Sequence, residues 1–361
     1  MGMGHGLQNA AGSDAGPRAG HGTAAAIATQ FGFAAAVIGL AAAGFYLPGL
    51  FTWRWQGFEP RQAIVPLVQL TMLGMGMTLT LADFRRVALM PQAVAIGIVC
   101  QFGIMPLTGF ACGQLFGLPP EVATGLVLVG SCPGGVTSNV IAYLARANVA
   151  LSVTMTACST VLSPLATPAF MSLLAARSVP LDTLSMLFSI VWMILLPVAA
   201  GLAVNTLARP LARRCAAILP AVAMISVCLI IAITVALARE DLAACGPAIL
   251  AAAVCHNAVG FALGYWIARA ARLGVGDART VAIEVGIQNG GMATGLALDV
   301  LKSPAAALPA AVFGPWSALA AAILAAVWSA RPPEPRLPTV PDVTDPSTPP
   351  PPTAGATVTG G

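Results

Sequence analysis

The chain has 361 residues, of which 58% are apolar and only 8% are charged, and its mean hydropathy is +0.86. This composition gives too little polar surface to cover a water-soluble globule of that size, so the bilayer is its solvent. The formal net charge of +4 is small, and nothing in the charge pattern suggests a nucleic-acid partner.

The two ends of the chain differ from the apolar middle. Residues 1–24 are small and polar and lack the basic-then-apolar order of a cleavable signal peptide, so we expect a disordered lead there. Residues 331–361 are rich in Pro, Thr and Gly and bury too little apolar area to offset the entropy of ordering, which predicts a disordered tail. Residues 25–330 are then the membrane domain.

Ten apolar windows lie between these ends, each near the roughly 20 residues that a membrane-crossing helix needs. We number them as spans 1 to 10: 27–50, 63–81, 87–116, 121–145, 149–177, 180–208, 215–238, 247–270, 280–301 and 306–329. With both termini in the cytoplasm, twelve of the 17 Lys and Arg residues fall on the inner side, as the positive-inside rule favours. The sequence thus predicts an all-α, multi-pass protein of the plasma membrane with both termini inside.

Two sets of five spans cross the membrane in opposite senses, because five is odd, and this is the arrangement of an inverted repeat. A Gly-Gly pair in span 4 (134–135) recurs in span 9 (290–291) at an offset of 156 positions. The same offset relates Gln101 of span 3 to Asn257 of span 8. The repeated offset favours two related five-helix halves.

Spans 4 and 9 are predicted to break near the middle of the membrane. Adjacent Gly residues weaken a helix by about 1 kcal/mol each relative to Ala, and Pro removes a further hydrogen bond. The residues of the two breaks are Pro133, Gly134, Gly135, Gly290 and Gly291. Half-helix ends at such breaks can bind ions, with carbonyl groups for a cation and amide groups for an anion.

Glu284 is the carboxylate that the sequence places deep in the membrane, because Val281 to Ile287 otherwise provide only apolar or small neighbours. A bare carboxylate at that depth needs a cation partner or takes up a proton. Oxygen-bearing side chains gather near both breaks: Thr137, Ser138, Asn139, Ser152, Thr154, Thr156, Ser159, Gln288 and Asn289. A hard cation such as sodium prefers oxygen ligands of these kinds.

The eight Cys residues lie mostly inside the spans and form no Cys-x-x-Cys pair, so neither a metal site nor a disulfide framework is expected. His256 is the only His inside the spans, and we interpret it as a hydrogen-bonded packing residue. With no second deep carboxylate and no metal-ligand spacing, the pattern does not favour an intramembrane enzyme.

Several runs together resemble the bile acid:sodium symporter family in its bacterial branch. They are Cys132-Pro-Gly-Gly-Val-Thr-Ser-Asn139, the run from Tyr143 to Ser152, Ser163-Pro164, Glu284-Val-Gly-Ile-Gln-Asn-Gly-Gly291, Met75-Gly-Met-Thr-Leu79 with Asp83-Phe84, and Gln101-Phe-Gly-Ile-Met-Pro106. The resemblance covers about residues 63–300. It implies ten spans, with a panel of spans 1, 2, 6 and 7, a core of spans 3–5 and 8–10, and crossing spans 4 and 9.

The resemblance also implies sodium as the coupling ion, bound at two sites without any other cofactor. The first site would use Ser138, Asn139, Ser152, Thr156 and Glu284. The second would use Gln101, Glu284, Val285, Ile287 and Gln288, with backbone carbonyl groups from the two apolar residues. Thr137, Asn289, Asn257 and Ser317 are predicted to lie near the substrate.

One departure from the family concerns the substrate. Relatives often carry a His-Asn pair in span 10, whereas here Trp316 is followed by Ser317 and Ala318. Bile-acid-like, pantoate-like and 2-keto acids therefore all stay open as the transported anion. Two alternatives to sodium symport also stay open: a carrier in which Glu284 takes up and releases a proton, and a membrane sensor that binds the ligand without moving it.

Overall fold

The computed structural model describes residues 32, 35–135, 137–176, 179, 181–216 and 218–331. The expected disordered segments, 1–24 and 331–361, lie outside these ranges except for Arg331. Within the described residues nearly all of the chain is helical, and no strand is present beyond two isolated β-bridges. The predicted all-α class is therefore confirmed for this part of the chain.

The described residues contain two short 3-10 helices, Pro48–Leu50 and Pro60–Ala63, and fifteen α-helices, which we label in chain order. They are α1 (Ala35–Tyr46), α2 (Ile64–Thr78), α3 (Leu81–Leu89), α4 (Pro91–Leu115), α5 (Pro120–Ser131), α6 (Thr137–Leu144), α7 (Val149–Leu174), α8 (Thr183–Ile190), α9 (Leu196–Leu207), α10 (Arg209–Ala216), α11 (Leu219–Leu237), α12 (Arg239–Ala270), α13 (Val275–Gly286), α14 (Gly290–Asp299) and α15 (Pro304–Ser329). A π-helical segment, Val191–Leu195, joins α8 to α9, so these three form one long helix.

Six helices of the described chain are long and apolar enough to cross a membrane: α4, α7, the joined α8 and α9, α11, α12 and α15. The pair α2 and α3 also qualifies if it counts as one span, although it bends by 65°. The bend lies where Thr80 and Asp83 form a capping box, in which the Thr80 N–H donates to Asp83 Oδ2 at 2.7 Å. A capping box of this kind begins a new helix instead of extending the old one.

Span 8 differs from its prediction at the N-terminal end, because α12 begins at Arg239 instead of at residue 247. Glu240 and Asp241 lie in its first turn, where the helix dipole stabilises acidic side chains. The charged residues that suggested a loop are therefore part of the helix. Pro247 also lies inside α12, as membrane helices tolerate when neighbouring groups replace the lost hydrogen bond.

The helices form two groups, and the helices of each group pack against one another. In the first, α2 packs along α9 and α11, and the approach of α2 to α9 is very close. A Cβ atom at Gly76 would lie 2.1 Å from the Val198 carbonyl oxygen, so only Gly fits at this contact. In the second group, α4, α7, α12 and α15 surround two interrupted helices, α5 with α6 and α13 with α14.

Candidate functional site

Two interrupted helices meet at their non-helical segments. The chain leaves α5 with extended backbone at Cys132 and leaves α13 with extended backbone at Ile287. The Gly135 N–H donates to the Ile287 carbonyl oxygen at 3.3 Å, and the Asn289 N–H donates to the Pro133 carbonyl oxygen at 3.0 Å. Each break thus provides hydrogen-bond partners for backbone groups of the other break. Such partners are needed because backbone groups buried away from water are costly when unpaired.

Glu284 lies in the last turn of α13, next to this crossing, and its side chain is 2% exposed. The Ser152 hydroxyl donates to Glu284 Oε1, and the Thr156 hydroxyl donates to Oε2 at 2.8 Å. The Ser138 hydroxyl also lies within hydrogen-bonding reach of the carboxylate. Among the described residues, no ion pair includes Glu284. Its negative charge therefore faces only neutral partners.

The hydroxyl groups around Glu284 face more acceptor atoms than they have protons to donate. Ser152 Oγ lies 2.8 Å from Asn139 Oδ1 as well as next to the carboxylate. Thr156 Oγ1 also lies 3.1 Å from the Ser152 carbonyl oxygen, and Ser138 Oγ lies 2.6 Å from the Gly135 carbonyl oxygen. Each hydroxyl has a single proton and two acceptors. We call this group of Ser138, Asn139, Ser152, Thr156 and Glu284 the Glu284 cage.

The backbone of Gly134 closes one side of the Glu284 cage. A Cβ atom at this position would lie 2.6 Å from Glu284 Oε2, which is shorter than any ordinary contact. The carboxylate can therefore lie this close to the backbone only because Gly134 has no side chain. The sequence predicted this Gly as part of a helix break, but its contact with Glu284 follows only from the crossing of the two segments.

A second polar cluster joins α4 to the crossing. Gln101 Nε2 donates to the Cys132 carbonyl oxygen at 2.9 Å and to Gln288 Oε1 at 2.7 Å. Gln288 Nε2 donates to the Val285 carbonyl oxygen at 2.7 Å. Both Gln side chains are buried. Three of the residues predicted for the second site, Gln101, Val285 and Gln288, thus contact one another. The Glu284 side chain lies in the Glu284 cage, and the Ile287 carbonyl group accepts from the other break.

Asn257 makes a contact like that of Gln101, in which a side-chain amide donates to a carbonyl group at a helix end. Its Nδ2 donates to the Gly286 carbonyl oxygen at 2.8 Å, at the C-terminal end of α13, as Gln101 donates to Cys132 after α5. Asn257 was predicted to lie near the substrate, but its side chain is held against α13 and it is not among the residues that line the cavity described next. The neighbouring His256 is fully buried and its Nε2 lies 2.9 Å from the Met105 carbonyl oxygen.

A cavity of about 370 Å³ lies between α2 and α11 on one side and α6, α14 and α15 on the other. Its polar lining includes Thr78, Thr137, Gln288, Asn289, Thr294 and Ser317, so three of the four predicted substrate residues lie there. Its apolar lining includes Met72, Met75, Leu219, Met224, Val227 and Ile230. The sequence did not indicate these last residues, because an apolar residue facing a cavity has the same signal as one facing lipid.

Two helices begin at this cavity. Thr137 is the first residue of α6, and Asn289 caps the N-terminus of α14 by accepting from the Met292 N–H at 3.0 Å. Helix N-termini have a partial positive charge and free N–H groups, which suit an anion. None of the residues that line the cavity in the described chain is charged. The N-termini of α6 and α14 therefore give the cavity a partial positive charge at that end.

A metal site of another kind has no support in the described residues, which contain no group of three or more His, Cys, Asp or Glu side chains able to hold an ion. All eight Cys residues are free thiols.

Comparison with known proteins gives one family. The model of the sodium bile acid symporter family matches residues 65–245. A protein of Bacillus subtilis (strain 168) that is named as an uncharacterized sodium-dependent transporter is 37% identical over 295 residues, which are 82% of this chain and 90% of the relative. A probable chloroplastic sodium/metabolite cotransporter of Arabidopsis thaliana is 37% identical over 285 residues, 79% of this chain and 70% of the relative. These matches confirm the resemblance noted in the sequence, and the relatives are named as transporters.

Proposed function

The chain belongs to the sodium bile acid symporter family, and on that basis we propose that it carries a small organic anion together with sodium ions by alternating access. Sodium is the coupling ion, and no other cofactor takes part. The protein is a multi-pass membrane protein. We place it in the bacterial inner membrane with both termini in the cytoplasm, as the distribution of Lys and Arg favours.

The observation that carries this proposal is the surplus of acceptor oxygens in the Glu284 cage. Three hydroxyl groups, each with one proton, face a carboxylate, an amide oxygen and two backbone carbonyl oxygens. A small hard cation at the centre of such a group coordinates the oxygen atoms that receive no hydrogen bond. It also neutralises a buried carboxylate that forms no ion pair with any described residue.

The second sodium site is assigned to the oxygen atoms of Gln101, Glu284 and Gln288 with the carbonyl groups of Val285 and Ile287. Gln101 faces the crossing from α4 and Gln288 lies in the break between α13 and α14. Each donates a hydrogen bond to a carbonyl group at a helix end. The C-terminal ends of α5 and α13 have a partial negative charge, which favours a cation between them. Since Glu284 belongs to both sites, its loss affects both ions.

The proposed architecture has ten spans in two inverted five-helix repeats, with α5 and α6 as span 4 and α13 and α14 as span 9. The related contacts of Gln101 with Cys132 and of Asn257 with Gly286 support this repeat, because the two amide residues are 156 positions apart. The panel consists of spans 1, 2, 6 and 7, and the core of spans 3–5 and 8–10. The cavity then lies where panel and core face each other.

The substrate is a small monoanion with an apolar body. The cavity volume of about 370 Å³ is near the lower end of the 300–1,000 Å³ typical of ligand pockets. Two helix N-termini each provide about half a positive charge, which together balance one carboxylate. Bile-acid-like, pantoate-like and 2-keto acids are the candidate classes of anion. Uptake measurements with one compound of each class identify which of them is transported.

Coupling follows from the crossing that the ion sites and the cavity share. Sodium bound at Glu284 and Gln288 holds the segment that leads to Asn289, and Asn289 begins the helix that faces the substrate. The pocket for the anion therefore forms when sodium is bound. Two sodium ions with one monoanion carry one net charge, so a potential of 100 mV adds about 2.3 kcal/mol to the driving force.

The test compares sodium with potassium as a stabiliser of the detergent-purified protein. A ligand that binds only the folded state stabilises it by RT ln(1 + [L]/Kd), so sodium raises the thermal midpoint of the wild type and potassium does not. Glu284→Gln removes the charge while keeping the size of the side chain, and we expect it to abolish the sodium effect. Glu240→Gln, at an exposed position of α12, is the matched control and keeps it.

An equal response of both proteins to sodium and potassium would contradict the proposal. Proteoliposome uptake then separates the remaining functions. Uptake that needs acid pH but no sodium indicates proton coupling at Glu284, and anion binding without uptake indicates a sensor.

A further inference from the structure

Two helices of the Glu284 cage run side by side in the same direction. On α7, Asn148, Ser152 and Thr156 follow one another at intervals of one turn, beginning at the cap. On α13, Asp277, Thr280 and Glu284 follow one another three and four residues apart, which is also about one turn each. Ser152 and Thr156 contact Glu284, and one turn nearer the two N-termini Asn148 contacts both Asp277 and Thr280. The polar contacts therefore form a ladder in register.

The lower part of this ladder uses every polar group of Asn148. Its side-chain Nδ2 donates to Asp277 Oδ1 at 2.8 Å, and its backbone N–H donates to Thr280 Oγ1 at 2.9 Å. Its carbonyl oxygen lies 3.1 Å from Thr280 Oγ1, and its Oδ1 accepts from the Leu151 N–H at 3.1 Å. We call Asn148, Asp277 and Thr280 the α7–α13 clamp.

The clamp lies one helical turn from the Glu284 cage on both helices. Thr280 precedes Glu284 by four residues, and Asn148 precedes Ser152 by four, so the two sets of contacts are about 6 Å apart along each helix. A helix transmits a shift over such a distance almost unchanged. Ion-binding side chains need placement within about 0.5 Å, so a slip of α7 along α13 changes the cage and the clamp together.

We propose that the α7–α13 clamp is a positioning element of the sodium site, which sets sodium affinity by holding Ser152 and Thr156 at the correct height opposite Glu284. The clamp residues do not themselves contact the ion. This inference rests on the proposed sodium function of the Glu284 cage. It assigns a role to three residues that lie outside both sets of proposed ligands.

Thr280 offers the cleanest perturbation, because the chain contains a matched control. Thr280 and Thr234 are both fully buried helical Thr residues whose hydroxyl groups contact the carbonyl oxygen four residues earlier, at 3.1 and 2.8 Å. Thr280 adds the two contacts with Asn148, whereas Thr234 lies in α11 away from the cage. Replacement by Val keeps the shape of either side chain and removes only the hydroxyl group.

The first experiment determines the sodium Kd of the full chain in detergent from the sodium dependence of its thermal midpoint. Potassium replaces sodium at constant ionic strength, and the midpoint without sodium reports any general loss of stability. Thr280→Val is expected to raise the sodium Kd about five- to tenfold, which corresponds to about one net hydrogen bond. Thr280→Ser, which keeps the hydroxyl group, and Thr234→Val are expected to stay within about twofold of the wild type.

A reciprocal exchange tests the pair of Asn148 and Asp277. Asn148→Asp keeps an oxygen to cap α7 but sets a carboxylate against a carboxylate, so we expect a higher sodium Kd. Adding Asp277→Asn places an amide opposite a carboxylate again. In the doubly exchanged protein we expect the sodium Kd to return toward the wild-type value, below that of either single variant. This recovery indicates positioning, because two independent structural defects would instead add and raise the sodium Kd further.

The two proposals fail in different ways. A wild-type protein whose midpoint does not respond to sodium overturns the proposed function itself. A wild type that responds, together with a Thr280→Val protein that binds sodium equally well, overturns the positioning role and leaves the sodium site intact. Equal weakening by Thr280→Val and Thr234→Val also overturns it, because the clamp then contributes nothing beyond packing.

Discussion

Replacement of Gly134 by Ala places a methyl group inside the Glu284 cage. Gly134 does not have a positive φ, so Ala brings no backbone strain at this position. The new Cβ atom would lie 2.6 Å from Glu284 Oε2, whereas ordinary van der Waals contact begins at 3.4 Å. The carboxylate must therefore retreat by about 0.8 Å, which exceeds the tolerance of about 0.5 Å for a binding constellation.

The expected magnitude follows from the cost of overpacking. Inserting a methyl group into a filled interior costs about 1–3 kcal/mol, and each 1.4 kcal/mol changes an affinity by about tenfold. Gly134→Ala is thus expected to raise the sodium Kd by about 5- to 150-fold. At a sodium concentration of 100 times the wild-type Kd, sodium stabilises the wild type by about 2.7 kcal/mol, and a tenfold weaker variant by about 1.4 kcal/mol.

The assay is the same sodium titration of the thermal midpoint, with potassium as the counter-cation. Gly103→Ala is the matched control, because a Cβ atom there meets nothing within 4 Å and the residue lies in α4 near Gln101. We expect its sodium dependence to equal that of the wild type. A Gly134→Ala protein with an unchanged sodium Kd, or a Gly103→Ala protein that is equally impaired, would refute the steric reasoning.

Three further predictions address other parts of the molecule. Gln101→Leu removes the amide that joins two helices at the crossing, and we expect the sodium dependence of uptake to lose its cooperativity, with a Hill coefficient near that of a single ion. Ala223→Trp fills the cavity, so uptake should fall at least tenfold while sodium still raises the thermal midpoint. Arg279→Met leaves three backbone carbonyl oxygens, at Ala145, Trp328 and Arg331, without their donor and should destabilise the protein by about 2–4 kcal/mol, measured by denaturant unfolding.

The predicted helices differ in how well the sequence defined them. The helices α7 and α15 begin within two residues of the predicted starts of spans 5 and 10, where an apolar run follows a polar residue, Asn148 or Ser303, that caps the helix. The charged residues at 239–241 predict a loop, whereas α12 begins at Arg239. Charge alone does not separate a loop from a first helical turn that lies outside the hydrocarbon region.

The sequence by itself determined the chemical class of the protein. Its hydropathy requires a membrane environment, its paired Gly residues and Pro133 weaken two helices locally, and Glu284 needs a cation or a proton at its depth. Each of these conclusions depends on residues close together in the chain. The family was accessible for the same reason, since its motifs are short and contiguous.

Only the tertiary structure decided which groups meet. Ser152 and Glu284 are 132 positions apart, and nothing local specifies that α7 packs parallel to α13 with these side chains at one height. The pairing of the two breaks, the contact of Gly134 with the carboxylate and the clamp at Asn148 all arise from that packing. Packing depends on the summed fit of many side chains, and no single stretch of sequence contains it.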